Sequence, residues 1–354
     1  MPEAVIVATG RSPIGRAFKG SLVDVRPDDL AAHVVREVLA TVPQLDPAEV
    51  EDVLMGCGQP AGESGFNIAR VVALLAGMAD VPGTTVNRYC SSSLQTIRMA
   101  AHAIKAGEGD VFVAAGVETV SRFQYGMADS GSTNPQFADA SARTAELAEG
   151  ADAWEPLDGL PDIYIAMGQT AENVRLKEGI GRQEMDTYAA RSQELAVASW
   201  ENGFFEREVI PIALPGGGVF ARDDGPRAGT TVEKLSQLKP AFRPDGEITA
   251  GNACPLNDGA AAVVVMSDTR AEQLGITPLA RIVSSGVSGL NPEIMGLGPI
   301  ESSRQALHRA GLTVDDIDLF EINEAFAAQV LPSARHLGIP MDKLNVHGGA
   351  IAVG

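Results

Sequence analysis

Apolar positions along the chain alternate between two spacings. Short β-branched runs are followed by longer segments in which apolar residues recur every three or four positions, the mark of strands leading into amphipathic helices. The run Val5-Ile6-Val7-Ala8 predicts a first strand, and Thr9-Gly10-Arg11-Ser12-Pro13-Ile14-Gly15 a turn-rich loop after it. Leu30, Val34, Val35 and Val38 share one side of a helix predicted over 28–39. An acidic linker at 45–52 precedes a strand over 53–56, and a helix follows over 68–76. Thr84-Thr85-Val86 then runs into Asn87-Arg88-Tyr89-Cys90-Ser91-Ser92-Ser93. Leu94, Ile97, Ala101 and Ile104 recur at helical spacing beyond it, and Gly107 closes the run. The unbroken apolar run over 111–116 predicts a strand covered on both faces.

From about Glu118 to Glu247 the rhythm changes. Gly, Ser, Asp, Asn and Pro crowd 126–162, with helices predicted over 168–177 and 182–200. An excursion of that size inside a compact protein is usually functional. Past Thr249 the core pattern resumes, with strands over 260–266 and 281–283, a helix over 302–310 and a strand over 317–320.

The second half repeats the first. Helix, short loop, Val-acid-acid and strand occur over 34–55 and again over 303–320. The strand leads to a polar or reactive turn each time: Gly56-Cys57-Gly58 in one copy, Glu321-Ile322-Asn323 in the other. A later strand enters a Gly- or Ser-rich helix start in both, at 86–93 and 345–354. A duplication on this scale predicts two similar α/β units whose catalytic loops meet at a pseudo-twofold.

Composition narrows the function classes. The chain has 354 residues, 45% hydrophobic and 21% charged, an ordinary globular balance. Its net charge of −19 argues against nucleic acid and anionic membrane surfaces, but not against a local anion site. Cys57, Cys90 and Cys254 are odd in number and lack Cys-x-x-Cys spacing, which predicts a reducing, cytoplasmic setting without a disulfide framework. No signal-like leader and no membrane-length apolar run is present. There is no P-loop, dinucleotide fingerprint or metal-ligand spacing.

Cys90 is the first candidate for chemistry. A lone cysteine is more often a small buried residue. Here a strand, a cysteine, three serines and a helix follow one another, which puts the thiol at a helix start. Unpaired N–H groups and the dipole there are expected to favour the thiolate.

These stretches resemble the thiolases, enzymes that make or break 3-oxoacyl-CoA by Claisen chemistry. Four stretches carry the likeness in order: Gly83 to Gln95 around Cys90, Gly116-Val117-Glu118-Thr119-Val120-Ser121, Thr249-Ala250-Gly251-Asn252-Ala253-Cys254-Pro255-Leu256-Asn257-Asp258-Gly259, and Asn323-Glu324-Ala325-Phe326-Ala327. It covers essentially the whole chain, and bacterial β-oxidation thiolases are most alike, including the thiolase subunit of trifunctional complexes. The implied fold is two similar βαβ-rich halves in a five-layer αβαβα sandwich. The first half is 1–117 plus about 248–272, a CoA-binding loop domain spans 118–247, and the second half is 273–354, incomplete. The apolar strand over 111–116 and the flat composition suggest a dimer core, with 124–140 as a tetramerisation loop, so a homodimer or homotetramer is expected. A hydratase/dehydrogenase subunit is a further expected partner.

By the same resemblance, Cys90 carries the acyl group between a 3-oxoacyl-CoA and CoA. Its backbone N–H contributes to one oxyanion hole, and Asn323 holds a water in the other. Read without the family, Asn323 is a turn cap after a strand. CoA and acyl-CoA are substrates, with no permanently bound cofactor and no metal. Met167, Arg227, Phe242, Ala250, Cys254, Met295 and Phe326 match positions along the pantetheine arm or, for Arg227, the adenine. Ala166 stands where many relatives carry His before that Met. The departure from the pattern is at the end. Gly348-Gly349-Ala350-Ile351-Ala352-Val353-Gly354 matches the motif that precedes the family's base histidine, and the second catalytic cysteine lies further on. His347 is not that histidine; Cys57 is expected to pack and Cys254 to line the tunnel. A chain of these 354 residues is therefore expected to be a truncated thiolase, inactive or nearly so. A non-catalytic acyl-CoA-binding protein is the alternative. A decarboxylating ketoacyl synthase would need a different His pair and lacks the Asn-Glu-Ala-Phe stretch.

Overall fold

The computed structural model describes residues 2–150, 154–156 and 158–354. Their contacts gather into two compact units. One comprises Met1–Gly131, Phe204–Gly225 and Leu256–Val283; the other comprises Ser132–Gly203, Pro226–Pro255 and Ser284–Gly354.

The first unit is built on a seven-stranded sheet. Its strands are β1 (Ala4–Arg11), β2 (Gly15–Arg16), β3 (Asp52–Gly56), β4 (Gly83–Val86), β5 (Val111–Thr119), β8 (Asn257–Ser267) and β9 (Ala280–Arg281); a separate hairpin joins β6 (Ile212–Ala213) to β7 (Val219–Phe220). The order is β4-β3-β5-β8-β1-β9, with β2 beside β8. β3 pairs in parallel with β4 and β5, whereas β8 runs antiparallel to β5 and β1. Parallel neighbours need crossovers, and helices α1 (Pro27–Ala40), α2 (Ile68–Leu75) and α3 (Ser92–Ala106) lie between these strands in the chain. The α1 helix opens on Pro27, whose fixed φ suits a first helical position, with Asp28 and Asp29 favourably placed in the first turn. The α3 helix closes at Gly107 with φ +78°, a conformation that glycine adopts without strain. Val5, Val34, Val35, Val53, Met55, Val113 and Met266 share one core, and each such side chain stabilises the fold by roughly 1.5–3 kcal/mol. The run 111–116 is interior to this sheet, with both edges of β5 hydrogen-bonded, to β3 and β8.

In the second unit, α10 (Ala327–Leu337) is the buried element. Ala327, Ala328, Val330 and Leu331 pack with Ala171 from α5 (Met167–Glu178) and Met185, Tyr188 and Ala189 from α6 (Arg182–Glu201). The unit also contains α4 (Ala138–Leu147), α7 (Val232–Ser236) and α9 (Gly298–Ala310), whereas α8 (Asp268–Leu274) belongs to the first unit. The strand expected over 317–320 is not formed. Phe320 meets Leu344 in one isolated parallel bridge, and a single rung does not make a ladder. The strand expected over 281–283 is similarly reduced to the two residues of β9.

The stretch 118–247, expected as one loop domain, is shared between the units. Residues 204–225 join the first because they are bound to β1: Arg11 N–H donates to Glu208, Ile210 N–H donates to Arg11, and Asp223 accepts from both Arg11 and the Ile14 N–H.

Candidate active site

The residue types around Cys90 dictate an abrupt turn. After β4 the backbone enters a one-turn 3-10 helix, Tyr89–Ser91, before α3 begins at Ser92. Tyr89 sits at φ +44°, in the left-handed region, which costs a non-glycine residue on the order of 1–3 kcal/mol and requires support from its surroundings. That support is local. The Asn87 carboxamide accepts the Tyr89 N–H at 2.8 Å and donates to the Gly58 carbonyl at 3.0 Å. Ser92 Oγ accepts the Arg88 N–H at 2.8 Å and donates to the Tyr89 carbonyl at 2.6 Å. The second and third serines therefore have separate work: Ser92 braces the turn, and Ser93 lies over the sheet.

Two glycines let α3 come close. Gly56 and Gly116 are lateral partners on β3 and β5. A Cβ at Gly56 would stand 2.5 Å from the Ser93 nitrogen, and one at Gly116 would stand 2.6 Å from Ser93 Oγ. The first turn of α3 rests on this bare patch, which sets the height of Cys90 above the ends of the parallel strands. Ligand sites in such sheets gather at the carboxyl ends of the strands.

Cys90 is exposed. Its thiol is nevertheless held above the ordinary range. Desolvation by the surrounding protein is the main cause, the Glu118 carboxylate adds to it, and a backbone N–H opposes it. This corrects the expected thiolate. The 3-10 turn sets Cys90 ahead of the first residue of α3, and a carboxylate of like charge stands nearby. Glu118, at the end of β5, accepts the Gly58 N–H at 2.7 Å and takes the Cys57 thiol as a weak donor at 3.9 Å. Its own pKa is raised, chiefly by burial. Cys57 is buried as expected, and burial together with Glu118 pushes its thiol up to about 12.

Asn323 belongs to the second unit. Its side chain is exposed on the segment between Phe320 and α10. Several of the other candidates assemble in that unit. The Phe242 ring lies against the start of α5 so closely that a Cβ on Gly168 would be 2.1 Å from it. Phe242 also meets Phe326 edge-on at 6.1 Å between centroids. Phe326 bridges to Ala253, and the Cys254 N–H donates to Ala325 at 2.9 Å. Met167, the first residue of α5, is 47% exposed, and Met295 lies on the turn Pro292–Leu297 that packs against α5 and α10. Ala250 is exposed on the loop before Cys254. Arg227 is exposed and held against α6, its N–H donating to Gln193 Oε1 at 2.8 Å. The half-buried His347 is 3.3 Å from Ser199 Oγ. Among the described residues no group of three or more His, Cys, Asp or Glu could hold a metal ion.

The thiolase N-terminal domain model matches residues 4–269 and the thiolase C-terminal domain model matches residues 276–354. The chain belongs to the thiolase family. It is 42% identical over its full length to the 3-ketoacyl-CoA thiolase of Bacillus subtilis strain 168, covering 88% of that protein. It is 44% identical over its full length to the acetyl-CoA acetyltransferase of Pseudomonas aeruginosa PAO1, again covering 88%. The dimeric peroxisomal thiolase of Saccharomyces cerevisiae superposes with a TM-score of 0.89 at 36% identity, over 99% of this chain and 86% of that one. The fold is thus the thiolase fold, and the protein is an acyltransferase of that family.

Sequence reasoning missed two carboxylates of this thiolase. Glu118 appeared only as part of a strand-end motif, and its partners Cys57 and Gly58 lie some sixty residues away in the chain. Glu324 appeared only as the second letter of Asn-Glu-Ala-Phe. The available signal was the run Ala325-Phe326-Ala327-Ala328 directly after it, since an acid buried beside such a run requires donors.

Proposed function

We propose that this thiolase moves acyl groups between CoA thioesters through Cys90. The Cys90 sulfur attacks the keto carbon of a 3-oxoacyl-CoA, and the bond between carbons 2 and 3 breaks. The electron pair of that bond stays on carbon 2, which takes up a proton as acetyl-CoA leaves. The acyl group remains on sulfur as a thioester. The thiol of a second CoA then attacks that thioester, yielding a shortened acyl-CoA and free Cys90. The reverse sequence condenses two acetyl-CoA to acetoacetyl-CoA. Each attack puts negative charge on an oxygen, and the roles assigned are Asn323 with a bound water for one oxyanion and the Cys90 N–H for the other. CoA is a substrate rather than a resident cofactor, with Met167, Phe242, Ala250, Cys254, Met295 and Phe326 along the pantetheine and Arg227 at the adenine. A guanidinium can both stack on a base and meet phosphate.

The observation that carries this reading is Cys90 itself: an exposed cysteine on a strained, fully braced turn over a glycine-floored helix start, within a chain matched by thiolase models over residues 4–269 and 276–354. We further infer a cytoplasmic homo-oligomer, a dimer or a tetramer, with a hydratase/dehydrogenase subunit as a further partner. The dimeric yeast relative supports self-association, and no described helix is long and apolar enough to cross a membrane.

The test is acyl capture. The protein is incubated with acetoacetyl-CoA at alkaline pH, where solvent hydroxide can ionise the raised thiol, and then digested for peptide mass analysis. The expected result is an acetyl group on the Cys90 peptide, discharged by added CoA as acetyl-CoA and absent in Cys90→Ala. Binding of acetoacetyl-CoA without any adduct on Cys90 would refute the assignment.

A further inference from the structure

Asn323 has a role in the proposed reaction; its neighbour Glu324 has none. We propose that Glu324 is a positioning residue that holds the Asn323 segment in its working geometry by tying it to α6 and to the glycine turn at 348–351. The inference rests on the role given above to Asn323.

Glu324 is completely buried, whereas Asn323 beside it is exposed. Four donors converge on the carboxylate. Oε1 accepts from the Tyr188 hydroxyl at 2.8 Å and from Asn345 Nδ2 at 3.0 Å; Oε2 accepts from Ser192 Oγ at 2.6 Å and from the Ile351 N–H at 3.1 Å. All four donors are neutral, and they come from α6, from the turn at Asn345 and from the glycine turn. The ties extend one bond further. Ser192 Oγ also accepts the Gly349 N–H at 3.1 Å, and Asn345 clasps the backbone of Ile322, accepting its N–H at 2.9 Å and donating to its carbonyl at 2.8 Å. Asn323 is therefore bracketed by a residue on each side that is fixed to the same network. Gly349 must be glycine for this arrangement, because a Cβ there would stand 2.3 Å from the carboxyl carbon of Glu324.

An apolar side chain would be less costly to bury than an acid whose four bonded partners are dipoles rather than cations. The geometry gives the carboxyl group its use. Four donors on two oxygens call for acceptor character at both positions, and a carboxylate supplies it. In a Glu324→Gln side chain the NH2 group must face either the Asn345 amide or the Ile351 N–H, and neither can turn to accept. One tie is lost while volume is kept, so the segment loosens without a cavity. Sub-ångström placement of an oxyanion group has large rate consequences.

The experiment is a double-mutant cycle on Cys90 acylation by acetoacetyl-CoA, with folding followed by circular dichroism and thermal unfolding. Glu324→Gln is expected to slow acylation about tenfold or more in the folded protein. In an Asn323→Ala background the same change is expected to cost less than about twofold, because its target is already gone. Tyr188→Phe, which removes one donor and leaves the carboxylate, serves if Glu324→Gln does not fold. It should show a smaller loss that likewise vanishes without Asn323. An equal loss in both backgrounds, or no loss in folded Glu324→Gln, overturns the proposal. An Asn323→Ala rate equal to that of the parent removes the role of Asn323 instead, and with it this inference. Absence of acylation in the parent refutes the Cys90 reaction, a separate failure.

Discussion

The closeness of α3 to the sheet makes a quantitative prediction. Gly56→Ala adds one methyl group where the Ser93 nitrogen is 2.5 Å away and the Ser92 carbonyl carbon 2.6 Å away. Both are backbone atoms, so no rotamer can relieve the contact. Ordinary contact begins near 3.4 Å, so the first turn of α3 must rise by about 0.9 Å. Overpacking of this kind costs on the order of 1–3 kcal/mol. For a unit of this size that corresponds to a fall of roughly 3–10 °C in unfolding midpoint. Cys90 rides on the same turn, and a displacement of about 1 Å at a reacting group can cost about a hundredfold in rate. Two assays separate the effects. Acylation by acetoacetyl-CoA depends on placement and should fall by about two orders of magnitude. Alkylation by iodoacetamide needs only an accessible thiol and should stay within about threefold. Gly131→Ala is the control, since a Cβ there meets nothing within 4 Å. Acylation by Gly56→Ala within twofold of the parent would show that the glycine floor does not set the position of Cys90.

Two further outcomes concern ionisation. Glu118 raises the Cys90 thiol by repulsion, so Glu118→Gln should move the pH midpoint of Cys90 alkylation downward, and an unchanged or higher midpoint would contradict that source of the shift. Cys57 ionises near 9 when free and near 12 in the fold. Below 9 both states hold the proton and stability is unaffected. Between 9 and 12 the unfolded chain loses the proton and the native state keeps it, so stability falls as pH rises. Urea midpoints measured across that range should fall less steeply in Cys57→Ala than in the parent, and parallel profiles would exclude Cys57 as the cause.

What could be read from sequence is what depends on neighbours in the chain. The helices α1 and α3 were visible because amphipathic spacing is a local property, and α6 because Asn202-Gly203 ends it; Gly107 at φ +78° is where the pattern said α3 would stop. Cys90 was legible for the same reason, and the family likeness supplied Asn323. Strands are another matter, because a strand exists only if a partner is there. Both 111–116 and 317–320 were expected as strands, yet the first found two neighbours and the second a single bridge. Charge was likewise decided in three dimensions. The helix start by itself pointed to a thiolate at Cys90, and β5 brought Glu118 up from another part of the chain to oppose it. The same holds for Glu324, one letter in a motif until Tyr188, Ser192, Asn345 and Ile351 surround it. Local spacing determines which residues can act in this thiolase. Desolvation and the proximity of distant donors and charges, which only folding creates, determine the protonation and placement in which they do so.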